Sequence, residues 1–166
     1  MSKQSGYTLV ELIVALGLFS IVMLLASGAY LMMIGISRQA QGIATGIDNL
    51  SFALETMTRT IRTGRNYSCN SIGDCQSGGT RFSVTDASGN SVTYTLTNGI
   101  ITQNGVGLTD PSVNVSSMTF YAFGTTPADA FQPHVTIIVA GTVTYAAGKS
   151  EPFTVETGAA MRGSDL

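Results

Sequence analysis

Between Leu12 and Ile36 the chain carries no charged residue, a run of 25 positions. A membrane-crossing helix needs about 20 apolar residues, because each adds ~1.5 Å and the hydrocarbon core is ~30 Å thick. The run is therefore long enough to span, tilted or with its last turn outside. Ahead of it stands a short polar leader, Met1 to Gly6, with Lys3 as its one charged side chain. Lys3 and the amino terminus favour a cytoplasmic N-terminus, and Arg38 beyond the run opposes this only weakly. An ordinary secretory signal has its small-residue cleavage site after the apolar stretch. Here helical sequence continues directly, so the segment reads as retained.

The continuation has a stripe of its own. Ile36, Ala40, Ile43, Ile47, Leu50, Leu54, Met57 and Ile61 are spaced alternately four and three apart, the pattern of an amphipathic helix face. Arg38, Gln41, Asp48, Glu55 and Arg59 lie between them as the solvated face, with Glu55 four residues ahead of Arg59. No proline occurs before Pro111, and Gly64 supplies a stop signal. One helix from about Thr8 to Thr63, roughly 84 Å at 1.5 Å per residue, is expected. Its second half needs a partner surface: a coiled-coil seam or, preferred here, the sheet of this chain.

After Gly64 the sequence turns to Thr, Ser, Gly, Val and Tyr. Thr80–Thr85 alternates with Phe82 and Val84 on one face, and Asp86–Asn90 reads as a hairpin loop. Ser91–Thr97 alternates through Val92, Tyr94 and Leu96, and Asn98-Gly99 is a strong hairpin signal before Ile100–Gln103. Val113–Phe123, Val135–Tyr145 and Phe153–Thr157 complete the set, with a loop from Gly124 to Pro133. Five or six strands with short connections predict one antiparallel sheet.

Composition removes several functions. Lys and Arg total eight and the formal net charge is −2, against the clustered positive charge that phosphate binding requires. No nucleic-acid partner is expected. A single histidine, His134, and two cysteines cannot build a His-rich zinc site, and leave a Ser-His-Asp triad one candidate base. No convergent acid, base and nucleophile is visible, so the chain reads as a non-enzyme without cofactor or metal.

The sharpest local signal is Gly6-Tyr7-Thr8-Leu9-Val10-Glu11-Leu12 at the head of the apolar run. Glu11 is the only ionisable acid or base between Lys3 and Arg38 apart from tyrosine. An unpaired carboxylate near a membrane helix costs about 2–3 kcal/mol, by analogy with Asp on insertion scales. One explanation is local: Thr8-x-x-Glu11 is a capping box, and an acid in the first turn complements the helix dipole.

The same residues resemble the leader junction of bacterial type IV pilins and pseudopilins, with Tyr7 where the family most often has Phe. That resemblance implies cleavage after Gly6 by a prepilin peptidase on the cytoplasmic side, N-methylation of Tyr7 by the same enzyme, and Glu11 as the assembly residue that pairs with the α-amine of a neighbouring subunit. The lollipop order of long helix then sheet is similar to the pilin layout. Many major pilins have proline mid-membrane; this chain has Gly28 near that depth. The stretch through Leu108-Thr109-Asp110, Met118-Thr119-Phe120, Gln132-Pro133 and Phe153–Thr157 to Arg162 is similar to the minor pseudopilin J and PilW-like group.

Cys69 and Cys75 stand in a Ser/Gly/Asn/Asp loop. Only one pairing is available, and a domain beyond the span would face an oxidising compartment where disulfides persist. The alternative is two free thiols. Arg59, Arg62 and Arg65 cluster at the helix end, where the dipole favours cations. Asp110 and Asp129 lie in loops without the further oxygen ligands a calcium site needs. His134, after Pro133, reads as a surface or strand-edge residue.

The expected fold is α+β: a long N-terminal helix, its first half transmembrane, packed on an antiparallel sheet. The expected divisions are a leader at 1–6, a transmembrane and assembly half at 7–36, an amphipathic half at 37–64, and a β-rich head at 65–166 that packs with 37–64. The expected role is a structural minor pilin or pseudopilin subunit of the inner membrane, then of a type II secretion pseudopilus or type IV pilus. Its partners are the prepilin peptidase and other pilin subunits. The competing reading is an extracytoplasmic binding module or enzyme that uses the helix as a tether; such a tether has no use for Glu11.

Overall fold

The computed structural model describes residues 6–126 and 131–161; Lys3, Asp129 and Arg162 lie outside them. One helix, α1 (Leu9–Thr63), is followed by ten strands: β1 (Arg65–Cys69), β2 (Ser71–Ile72), β3 (Cys75–Gly79), β4 (Arg81–Thr85), β5 (Ser91–Thr97), β6 (Ile100–Gln103), β7 (Val106–Gly107), β8 (Val113–Phe123), β9 (His134–Ala146) and β10 (Lys149–Ala160). The chain divides into two compact units, Met1–Ala40 and Gln41–Leu166, with the boundary inside α1.

In the first unit every large apolar side chain from Leu9 to Ile36 that stands out is 49–76 % exposed. Ser20 and Ser27 spend their hydroxyls on the carbonyls of Leu16 and Met23, one turn back, at 2.8 Å each. These two hydroxyls are thus satisfied within the helix, as a lipid environment requires. Among the described residues α1 is the one helix long and apolar enough to cross a membrane.

The second unit places the last turns of α1 on two antiparallel sheets. The larger has the order β2-β1-β4-β5-β6-β7, the smaller β10-β9-β8-β3. Leu50, Leu54, Met57 and Ile61 of α1 share one core with Phe82, Val84, Tyr94 and Ile101 of the larger sheet and Phe120, Ile137 and Val139 of the smaller. Phe82 and Phe120, one from each sheet, stack at 5.2 Å between centroids. The α+β class and the helix packed on antiparallel strands agree with the sequence reading.

Two sheets replace the single sheet expected, and ten strands the five or six. The missed strands β1, β2, β3 and β7 are short and rich in Ser, Gly, Asn and Cys, with no apolar alternation to find. Where alternation exists, the reading holds. β4 buries Phe82 and Val84, and β5 buries Val92 and Tyr94. Asn98 and Gly99 take φ of 52° and 78°, the two left-handed positions of a type I′ hairpin. In β8 the buried set steps from Val113 and Val115 to Met118, Phe120 and Ala122. The change of parity is a bulge between Val115 and Ser117, where the Ser116 hydroxyl donates to Ala140 O at 3.0 Å.

The apolar stripe is half right. Leu50, Leu54, Met57 and Ile61 are buried, whereas Ile36 and Ile47 are 58 % and 46 % exposed. The seven-residue repeat drifts ~20° per heptad around a 3.6-residue helix, so within the second unit Ile47 rotates off the sheet. The face that replaces them is small: a Cβ on Gly42 would stand 2.7 Å from Tyr145 Cβ, one on Gly46 would collide with Val143, and Ala53 is wholly buried. Gly64 likewise follows the helix for want of room. It carries no positive φ; a Cβ there would lie 2.8 Å from Thr60 O and 2.9 Å from Thr85 O.

Candidate functional site

Gly6, Tyr7 and Thr8 precede the helix, which begins at Leu9. The Thr8 hydroxyl accepts from Glu11 N at 3.3 Å, and Thr8 O accepts from Leu12 N at 3.2 Å. Thr8 is therefore the N-cap, holding one of the donors that a helix start leaves unpaired. Tyr7 is 85 % exposed, and Glu11 is exposed on the first turn. Its carboxylate stands where the helix dipole favours negative charge. A Cβ at Gly6 would meet nothing within 4 Å, and the residue has no positive φ. Nothing in the local fold demands glycine there.

Three exposed residues outside the helix, a capped helix start and an exposed first-turn acid thus stand immediately before the apolar run. Residues 1–27 match the family model of the prokaryotic N-terminal methylation motif. Searches of curated proteins and of solved structures return no match for the chain. The matched residues end at Ser27, inside the apolar run, and the match gives no information about the residues beyond it.

The two cysteines form a disulfide, with Cα atoms 5.8 Å apart. They do not lie in a loop, as the sequence suggested. Cys69 closes β1 and Cys75 opens β3, so the bridge joins a strand of the larger sheet to a strand of the smaller. Cys69 is buried. Gly79 makes room for it, since a Cβ there would lie 2.5 Å from Cys69 Sγ.

Between the cysteines, Asp74 accepts from Thr125 N at 2.8 Å and from the Thr125 hydroxyl at 3.1 Å. The Thr125 backbone bond chiefly holds its carboxyl below the usual range, helped by Gly124 and Gln76 and opposed by desolvation. The segment spanned by the disulfide is thereby tied to the chain beyond β8. Sequence reasoning missed this contact, because Asp74 and Thr125 are 51 residues apart. Asp86 caps its own hairpin, accepting from Ser88 N at 2.9 Å and Asn90 N at 2.8 Å. Asp110 accepts from Ser112 N at 2.9 Å, while its own amide donates to Asn49 of α1 at 2.8 Å.

The remaining candidates are dispersed. Arg62 sits in the last turn of α1, but Arg65 has left the helix and begins β1. His134 is exposed at the start of β9, its Nε2 3.4 Å from the Thr136 hydroxyl. Among the described residues no three of His, Cys, Asp and Glu gather as metal ligands.

Proposed function

We propose that this chain is the precursor of a structural pilin-like subunit, in the manner of a minor pilin or pseudopilin of the J or PilW-like group. The match of residues 1–27 to the N-terminal methylation motif carries the reading. A prepilin peptidase cuts after Gly6 and methylates the new amine of Tyr7. In support, Gly6 is not required by local packing, and Tyr7 is open to a second protein. The leader is then 1–6, the membrane and assembly half 7–36, and the amphipathic half 37–64 joins the head 65–166. The head faces the extracytoplasmic side of the inner membrane before the subunit enters a type II secretion pseudopilus or type IV pilus.

Glu11 is the assembly residue. Cleavage creates a positive amine at Tyr7, four residues before it on the same chain. Capping uses the Glu11 amide rather than its carboxylate, so the acid is left to meet the amine of an adjoining subunit. In low dielectric an opposite charge a few ångströms away offsets a desolvation cost of several kcal/mol.

Coexpression with a prepilin peptidase, followed by intact-mass measurement, tests the processing. The expected product lacks Met1–Gly6 and carries one added methyl group on Tyr7. Cleavage after the apolar run instead would make this an ordinary secreted protein. Glu11→Gln is expected to insert and be cleaved normally, yet to crosslink less with neighbouring membrane helices. Equal crosslinking at matched expression would leave Glu11 as a dipole complement alone.

A further inference from the structure

β3 is an end strand of the smaller sheet and covers the side of β8 away from β9. It does so with little of its own. Cys75-Gln76-Ser77-Gly78-Gly79 has no apolar side chain besides the cysteine, and Gln76 and Ser77 are exposed. Its ladder to β8 is fixed at Cys75↔Ala122 and Gly79↔Phe120, which leaves Gln76, Ser77 and Gly78 opposite Tyr121 alone. By contrast, β9 holds the other side of β8 from Val113 to Phe123. A strand with no apolar burial and an interrupted ladder lies at the low end of local stability.

What holds β3 is gathered at its start. Cys75 is bonded to Cys69, and Cys69 Sγ and Cys75 Sγ lie 3.5 Å and 3.7 Å from Phe120 O, against the backbone of β8. One residue earlier Asp74 accepts from Thr125, and Ser68 and Gly73 form an isolated bridge. The base of the segment closes separately. Asn70 N donates to Arg81 O at 3.1 Å, and Arg81 N donates to Asn70 Oδ1 at 3.2 Å. Residues 70–79 are therefore a flap whose base is independent of the disulfide and whose tip is tied by it. The surface it covers is a hazard. From Val113 to Phe123 β8 has no charge and no proline, and it ends Met118-Thr119-Phe120-Tyr121-Ala122-Phe123. An uncharged strand of that composition pairs with other chains when its edge is open.

We propose that residues 70–79 are a redox-latched edge guard: reduction of Cys69–Cys75 frees the flap from β8 and opens that edge while the rest of the head stays folded. With the bond intact, the tip can leave β8 only by dragging Cys69 out of the core, where it is 3 % exposed. Without the bond the tip carries away only its own contacts. The Asp74–Thr125 tie remains, but Asp74 is exposed and water competes for its carboxylate. The reductant is a dithiol. Its first thiolate attacks Cys75 Sγ, the less buried sulfur; the bond to Cys69 breaks, and Cys69 leaves as a thiolate that takes a proton. The second thiol then attacks the mixed disulfide, frees Cys75 as a thiol and leaves the reagent a cyclic disulfide. Two electrons and two protons pass to the protein. An oxidising compartment keeps the latch shut. The inference concerns the head alone and is independent of how the N-terminus is processed.

The test is hydrogen exchange on the full chain in detergent, oxidised or reduced with dithiothreitol without denaturant. Reduction is expected to accelerate exchange in peptides covering 70–79 and 119–123 by roughly tenfold or more beyond any change in β4, β5 and β9. The accelerated rates should be indifferent to low urea, because a local opening exposes little surface. Cys75→Ser gives a second readout, since it leaves Cys69 as the single thiol. Buried in the closed head, Cys69 should react with a maleimide at a rate equally indifferent to urea. Asp74→Ala with the disulfide intact is expected to leave exchange in 70–79 as in the unmutated oxidised chain. Exchange that rises equally in the flap and in β4, β5 and β9 would overturn the proposal, because the bond would then stabilise the head as a whole. So would a Cys69 that reacts only where urea unfolds the core. Opening of the flap by Asp74→Ala in the oxidised chain would overturn it too, by making the tie to Thr125 the latch.

Discussion

The two halves of α1 use glycine under opposite circumstances. Gly17, Gly28 and Gly35 meet nothing within 4 Å, whereas Gly42 and Gly46 are pressed against Tyr145 and Val143 of β9. In the first half glycine is one more residue without charge in a stretch whose large side chains are, Ile34 apart, exposed. In the second it sets how closely the helix approaches the sheet, and Leu50, Met57 and Ile61 are buried through that approach. A glycine in a helix costs up to about 1 kcal/mol relative to alanine. The second half recovers this by close packing; the first recovers nothing from the chain itself.

Substituting one glycine from each half breaks that comparison most directly. Gly46→Val forces new methyls into Val143, on a strand held on both sides by β8 and β10. Overpacking of this kind costs about 3 kcal/mol, the upper part of its usual range. Gly28→Val is expected to leave the stability of the head unchanged. Denaturation of the full chain in detergent, followed by near-UV circular dichroism of its tyrosines since it has no Trp, reads both. Equal loss for the two variants would mean that the halves are not energetically distinct.

The same contrast explains what was legible in the sequence. Absence of charge announces a membrane-length helix, and period-two alternation announces β4, β5, β8 and β9, because both are local patterns. The junction at Gly6–Glu11 is local too. The helix seam is not: Gly42, Gly46 and Ala53 are small because β9 is there, and an apolar stripe of Ile36, Ala40, Ile43 and Ile47 offers a more conspicuous face. The strands that hold the disulfide were invisible for a related reason. Arg65–Cys69 and Cys75–Gly79 have poor strand composition and are strands because β4 and β8 lie beside them.

A smaller effect separates the head's covalent tie from its packing. The Cys69–Cys75 bridge closes a short loop, with a sequence separation of 6, for which chain entropy gives about 2 kcal/mol. Cys69→Ala with Cys75→Ala should lower head stability by about that amount. The far-UV signal of α1 should persist, since the shared core of helix and sheets does not pass through the bridge alone. A loss as large as that of Gly46→Val would mean that the bridge, rather than the core, holds the two sheets together.

The smallest effect expected is electrostatic, and it too belongs to the head. Asp74, Asp86 and Asp110 all have carboxyls held below the ordinary range, chiefly by backbone amides of Thr125, Asn90 and Ser112 respectively. A group whose native pKa is depressed stabilises the fold fully above its unfolded value of about 3.9, and that stability is lost as pH falls through the native value. The head should therefore keep its stability from neutral pH to about 4 and lose it progressively below. Among the three carboxylates, that of Asp74 joins distant parts of the chain, while those of Asp86 and Asp110 accept from amides within four residues. Asp74→Asn keeps an oxygen for Thr125 but abolishes the titration. Its melting midpoint should depend less on pH below 4 than that of the unmutated chain, with little difference at pH 7. An unchanged acid limb would assign the loss of stability to the two local caps, and the Asp74–Thr125 tie would then be a contact without electrostatic weight.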